Sequence, residues 1–193
     1  MTILHIFTEE PSIKNIFDVI LPKILPDDIS FRIYPHQGKK DLEKALKTTV
    51  PSISKIPGSK IIITCDQDKN DCKVVKLRLL DLLGNQCQCD FFVRIICTEL
   101  ESWFLGDLQA IEKAFPRFKR HQYAGRIDFR DVDRIDKPSD YLLRIVPEYL
   151  KRESLPKLEF SQKIAPYLDI ENNLSTSFNQ TIQAIRKIIN KWD

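Results

Sequence analysis

The sequence predicts an α/β fold: a mainly parallel sheet of about four strands, flanked by helices and followed by a C-terminal helical extension. Three observations point there. Short β-favouring apolar runs alternate with helix-periodic stretches through roughly the first hundred residues, the order expected of a parallel sheet with helices on its faces. The runs are nearly continuous in apolar residues, as strands buried on both faces are. Acids follow three of the four runs, and in open α/β sheets the ligand sits beyond the carboxyl ends of the strands.

ILHIFT (3–8) reads as the first strand, closed by Glu9, Glu10 and Pro11. Ser12 is placed to cap a helix through Leu25, with Ile13, Ile16, Phe17, Ile20, Leu21 and Ile24 on one face and Pro22 kinking or shortening it. Phe31–Pro35 is the second strand, and Gly38 turns the chain into a helix starting near Lys39 or Lys40. Ser59–Cys65 is the third strand. Asn70–Leu83 follows as a helix with Val74, Val75, Leu77, Leu79, Leu80 and Leu82 on its stripe, ended by Gly84. Phe91–Cys97 is the fourth strand, leading into the helix-like TELESWFL, where Trp103 and Phe104 read as core. These elements define an α/β domain over 1–116. Residues 117–193 form a basic, mostly helical extension packed on it: an irregular connection, then helices over Ser139–Lys151, Leu158–Leu168 and Ser175–Trp192.

The bulk numbers bound the function. With 42% apolar and 30% charged residues in 193, the chain can build a sizeable core. No apolar run approaches the roughly 20 residues of a membrane span, and MTILHIFTEEPS lacks the basic start of a signal peptide, so a cytoplasmic location is expected. Five cysteines, an odd number with one close pair (Cys87, Cys89) and no partner histidines, read as reduced thiols instead of a zinc site. Residues 1–116 carry 15 Lys+Arg against 16 Asp+Glu, a net of −1; residues 117–193 carry 15 against 11, a net of +4. That asymmetry suits a cation site beside a phosphate-binding surface, or a solvated helical surface.

SKIIITCDQDKND places Asp66 and Asp68, with Asp71 behind them, where a buried strand emerges. One reading is helix capping. The other joins them to Glu9, Glu10, Glu99 and Glu101 on one sheet edge, where gathered carboxylates repel and raise one another's pKa unless a cation sits among them. Magnesium, or manganese in its place, takes oxygen ligands and is held by one or two carboxylates plus substrate phosphates. An EF-hand is excluded, since Asp71 and Leu77 stand where its glycine and glutamate belong. A phosphatase with a DxD nucleophile is a further option, although Lys69 departs from that motif. HQGKKDL is not a Walker A loop, but Lys39 at a glycine-preceded helix start can take a phosphate, and Lys73 is a second candidate.

A glutamate after the first strand and a DxD after a later one resemble the TOPRIM fold of topoisomerases, primases and overcoming-lysogenization-defect nucleases. FTEEPS, QGKKDL, CDQDKNDCKVVK, RIICTELESWFLGD and Ser175, Ser177 and Phe178 together resemble the TOPRIM-related bacterial family known as domain of unknown function 4276. The resemblance implies a magnesium-dependent nucleic-acid phosphodiesterase, working with an AAA-type ATPase in anti-phage defence, or a non-catalytic adaptor for such an ATPase. It implies Glu9 as general acid/base or metal ligand, Asp66 and Asp68 as the metal pair, and Glu101 with Glu99 at a further metal position. TOPRIM motifs carry glycine after the glutamate where this chain has Glu10, so Glu10 is the alternative acid.

Overall fold

The computed structural model describes residues 2–190. Four strands, β1 (Thr2–Thr8), β2 (Ile29–Pro35), β3 (Ser59–Asp66) and β4 (Phe91–Ile96), form one sheet in the order β2-β1-β3-β4. Every pairing is parallel, with Ile6 opposite both Ile33 and Ile62, and Ile62 opposite Phe92. This is the TOPRIM-like α/β architecture expected. All residues of β3 are buried, as a central strand covered on both faces requires.

The strand period of two divides the core into two layers. On one face Leu4, Ile6, Ile62 and Ile96 meet α1 (Ser12–Ile24), α4 (Glu101–Leu105), α5 (Leu108–Ala114), α6 (Pro138–Ile145), α7 (Lys157–Ile164) and α8 (Thr176–Ile189). On the other, Phe7, Ile61, Ile63, Cys65 and Val93 meet α2 (Lys39–Ile53) and α3 (Cys72–Leu83). Trp103, fully buried, lies edge-on to Phe17 of α1 (6.2 Å between centroids) and Phe178 of α8 (5.2 Å). An aromatic ring of this size removes roughly 150–250 Å² from water, worth about 5 kcal/mol before ordering costs. No helix among the described residues is long and apolar enough to cross a membrane.

Local chemistry shifted several expected boundaries. Ser12 is the first helical residue, not a cap; its hydroxyl donates to the Glu10 carboxylate. The helix expected over Ser139–Lys151 stops at Ile145, because Pro147 forces Val146 into extended backbone (φ −93°, ψ 109°). α7 stops at Ile164 and the chain tightens into a 3₁₀ turn over Ala165–Tyr167, where Ala165 stays helical (φ −48°, ψ −42°) and Pro166 has no N–H to continue the α-helical ladder. The last helix starts at Thr176 with Ser175 as its cap, and Trp192 lies outside the described residues. On α3, Val74 and Leu77 are exposed, and the buried stripe is Val75, Leu79 and Leu83.

Candidate functional site

The C-terminal ends of β1 and β3 lie side by side, since Thr8 pairs with Thr64. The turn after β1 therefore delivers Glu9 and Glu10 beside the end of β3. Glu9 Oε2 accepts the backbone N–H of Asp66 (2.9 Å) and the Cys65 thiol (3.0 Å). Burial raises the Glu9 pKa; those two donors and the Lys39 ammonium pull it partly back.

Asp66, the last residue of β3, is buried, and its Oδ1 has no hydrogen-bond partner. Burial drives its pKa well above the ordinary carboxylate range, and the nearby charges of Glu10, Glu9 and Glu101 drive it further, against the opposing pull of Lys157. Glu101 opens α4 and is fully buried, with Oε1 likewise unpartnered. Burial pushes its pKa up to about 7 although Lys157 favours its charged form. Orphaned buried oxygens are rare in native proteins. Asp66 Oδ1 and Glu101 Oε1 are two of them on neighbouring acids, and Thr64 Oγ1, in the same strand as Asp66, is another.

Lys157, the first residue of α7, stands among these acids: its Nζ is 3.1 Å from Glu101 Oε2 and 3.6 Å from Glu10 Oε2. Burial opposes its charge, but Glu101, Glu10, Asp66 and Glu99 outweigh that and hold its pKa above the ordinary lysine value. Nothing in the sequence singled out Lys157. It lies far along the chain from Asp66, beside a proline in a mixed-charge stretch, and only the docking of α7 against α1 brings it in.

The structure divides the DxD pair. The cap of α3 is Asp71, which accepts the N–H groups of Lys73 and Val74, so neither Asp66 nor Asp68 is needed as a helix cap. Asp68 turns outward to Lys39, the first residue of α2, at 2.5 Å. Burial works against the Lys39 charge, but Asp68, Cys65 and Glu9 raise its pKa overall. Asp68 and Thr98 both hold left-handed backbone (φ 52° and 54°), and the Asp68 N–H donates to the Thr98 carbonyl. Such a conformation is unfavourable for β-branched threonine by about 1–3 kcal/mol, and here it holds the ends of β3 and β4 together.

Glu99 is directed to the start of α6, where its Oε2 accepts the Ser139 N–H at 3.2 Å. Asp68 and Glu99 border one open cavity of about 500 Å³ with Lys69, Lys137 and Asp140. Lys73 lies elsewhere, lining a smaller cavity of about 220 Å³ between α3, β4 and the start of α8. The geometry thus gathers Glu10, Asp66 and Glu101 around Lys157 with Glu99 within electrostatic reach, holds Glu9 between Asp66 and Lys39, sets Asp68 with Lys39 at the rim, and leaves Lys73 apart.

A hard divalent cation suits this donor set: all the acids offer oxygen, and two carry an unpartnered buried oxygen. As the side chains stand, the cluster is organised about the Lys157 ammonium, and among the described residues no three His, Cys, Asp or Glu side chains are already arranged to hold an ion. The residues fit a cation in chemistry, and they are compensated by lysine in position.

Two comparisons match this chain to known proteins. The family described as "Domain of unknown function (DUF4276)" matches residues 8–186. The C-terminal region of the Burkholderia pseudomallei OLD protein is similar in structure, with a TM-score of 0.55 at 17% identity, over 96% of this chain and 98% of that one. At that identity the likeness concerns the fold. A search of curated proteins found no match. With all but its first 7 and last 7 residues inside the match, the chain belongs to the DUF4276 family.

Proposed function

We propose that the protein hydrolyses phosphodiester bonds in nucleic acid with the help of a divalent cation, magnesium or manganese. One observation carries the reading. Asp66 is buried at the carboxyl edge of a parallel sheet, with one oxygen unpartnered and three further carboxylates raising its pKa. A carboxylate kept in that state is costly to the fold, and sites that perturb pKa this strongly in a cleft are characteristic of catalysis. The fold shared with the OLD C-terminal region supports the same reading.

In this proposal Asp66, Glu9 and Glu10 would hold the cation, with Glu101 behind them. When bound, it supplies Lewis-acid stabilisation of charge developing on the phosphate. Glu9 is fixed through Oε2 by the Asp66 N–H and the Cys65 thiol, which leaves Oε1 either to bind the cation or to move a proton. Lys157 holds Glu10 and Glu101 in place. Lys39 and Asp68, at the rim, meet the incoming backbone electrostatically.

The test is incubation of the folded chain with DNA and RNA under magnesium, manganese or EDTA. Metal-dependent cleavage, reduced about 100-fold or more in Asp66→Asn with the fold intact, is the expected result. A folded wild-type chain that cuts neither polymer with either metal sinks the proposal.

A second reading has its own observation. Lys157 and Lys39 already neutralise Glu10, Glu101 and Asp68, as they would in a non-catalytic docking module for an AAA-type ATPase, with or without a role in anti-phage defence. Metal-independent binding of such an ATPase, with no cleavage in its presence, favours that reading.

A further inference from the structure

The +4 excess of residues 117–193 has an address. Residues 117–130 hold Arg117, Lys119, Arg120, Arg126 and Arg130 against Asp128 alone, a net of +4; residues 131–193 hold 10 Lys+Arg and 10 Asp+Glu, a net of zero. The entire basic surplus of the extension therefore sits in fourteen residues of irregular chain carrying two 3₁₀ turns, at Arg120–Gln122 and Ile127–Arg130.

Three of these arginines, Arg120, Arg126 and Arg130, line one open cavity of about 480 Å³, a size that admits a small ligand or part of a polymer. Its floor is firm. Phe129 is buried, Tyr123 stacks on buried Phe118 at 5.0 Å, and the Arg126 guanidinium lies over the Tyr123 ring at 4.5 Å. The side chains of Arg120 and Arg130 have no hydrogen-bond or ion-pair partner among the described residues. The one acid on the cavity wall is already used, since Asp107 accepts the Ala110 N–H through Oδ1 and the Asp169 N–H through Oδ2. Asp128 is engaged by the Tyr141 hydroxyl.

We infer that this arginine-lined cavity is a phosphate-binding exosite that holds the backbone of a nucleic acid, separate from the carboxylate cluster. Guanidinium forks match phosphate oxygens in pairs, and an arginine resting on an aromatic ring is pre-set for that contact. Three arginines against the single carboxylate of Asp107 leave the hollow with a net positive charge, which an anion with several phosphates in sequence would stabilise. The cavity and the acids lie at opposite ends of α4: Glu101 opens the helix at the acid cluster and Gly106 closes it at the cavity wall. Their separation along the axis is about 8 Å by helical rise. Only the choice of nucleic acid over another polyanion rests on the proposed phosphodiesterase reading.

The experiment measures binding of labelled single- and double-stranded oligonucleotides to the full chain in EDTA, over a series of salt concentrations. The triple variant Arg120→Ala, Arg126→Ala, Arg130→Ala is compared with a charge-matched control, Lys44→Ala, Lys47→Ala, Lys55→Ala, at exposed positions on and beside α2. The arginine variant is expected to lose affinity about 30-fold or more and to flatten the salt dependence by about three counterions, roughly one per phosphate contact. The control should stay within about threefold. Equal losses in the two variants, or no loss in the arginine variant, overturn the exosite. Binding of inorganic pyrophosphate alone, with no oligonucleotide affinity, overturns the backbone assignment. Because no cation is present, the result is independent of whether the acid cluster cuts.

Discussion

Two polar clusters join the first part of the chain to the last, and they differ in one respect. In the first, around Lys157, Asp66 and Glu101 each keep a buried oxygen without a partner. In the second, Asp133 is saturated: Oδ1 accepts the Ser175 hydroxyl (2.7 Å) and Oδ2 the Ser177 N–H (2.9 Å). Ser175 Oγ also accepts the Phe178 N–H that caps α8, and Ser177 Oγ accepts the Trp103 indole N–H at 3.0 Å. Gly106 completes this clasp, since a Cβ there would lie 2.1 Å from Asn173 Oδ1, in the segment leading to Ser175. A satisfied network serves the fold, whereas one left incomplete at a sheet edge costs stability where it stands. The serines and phenylalanine that helped mark the family thus have a structural explanation, whereas Asp66 and Glu101 each keep one oxygen that has none.

The sharpest way to break this contrast is to cut the clasp. Asp133→Ala strands the Ser177 N–H and loosens the α8 cap, so unfolding free energy should fall by about 3 kcal/mol and the Tm by roughly 6–12 °C. If Asp133→Ala leaves the Tm unchanged, the clasp is not what secures α8.

The acid cluster should respond to pH where the clasp does not. Glu101 has its pKa raised to about 7 in the folded chain, above that of the unfolded chain. The native state then binds more protons than the unfolded one between the two values. The sign follows: this contribution to stability is fully present below about pH 4.5 and is lost as pH rises through about 7. Chemical denaturation at pH 5 and pH 8 should show wild type losing about 2–3 kcal/mol more than Glu101→Gln over that span. Identical slopes would mean that Glu101 titrates normally.

A smaller effect is expected at Lys157, whose side chain is 35% exposed. Lys157→Met leaves Glu10 and Glu101 without their cation, a loss of about 1–2 kcal/mol at pH 8 after allowing for solvent screening. At pH 5 Glu101 is protonated and the loss should shrink to the part carried by the Glu10 pair. A pH-independent loss would point to packing of the lysine stem, and the electrostatic account of the cluster would fail.

Much of this was legible in the sequence for a physical reason. The strands and their order follow from apolar runs and turn residues, which act over short distances, and the acids flanking Thr8 and Cys65 reach one edge because a parallel sheet sends successive strand ends the same way. What the sequence hid was long-range. Asp66 and Asp68 look equivalent in DxD, yet β3 ends at Asp66, which stays buried, and the left-handed turn at Asp68 sends the second acid outward to Lys39. Lys157 carries no local signal, since its role depends on where α7 docks. Pro147 and Pro166 were readable as helix breaks, and the apolar periodicity around them masked that.

The position of Lys157 also bears on how the chain assembles. Glu9, Glu10, Asp66 and Glu101 are all made before it, and a growing chain folds from its beginning. Until α7 emerges, Glu10, Asp66 and Glu101 lack the counter-charge of Lys157 and must keep their protons or their water. Tight closure over that edge therefore waits until Lys157 has been made, and a product truncated before it would carry a sheet whose carboxyl edge repels itself.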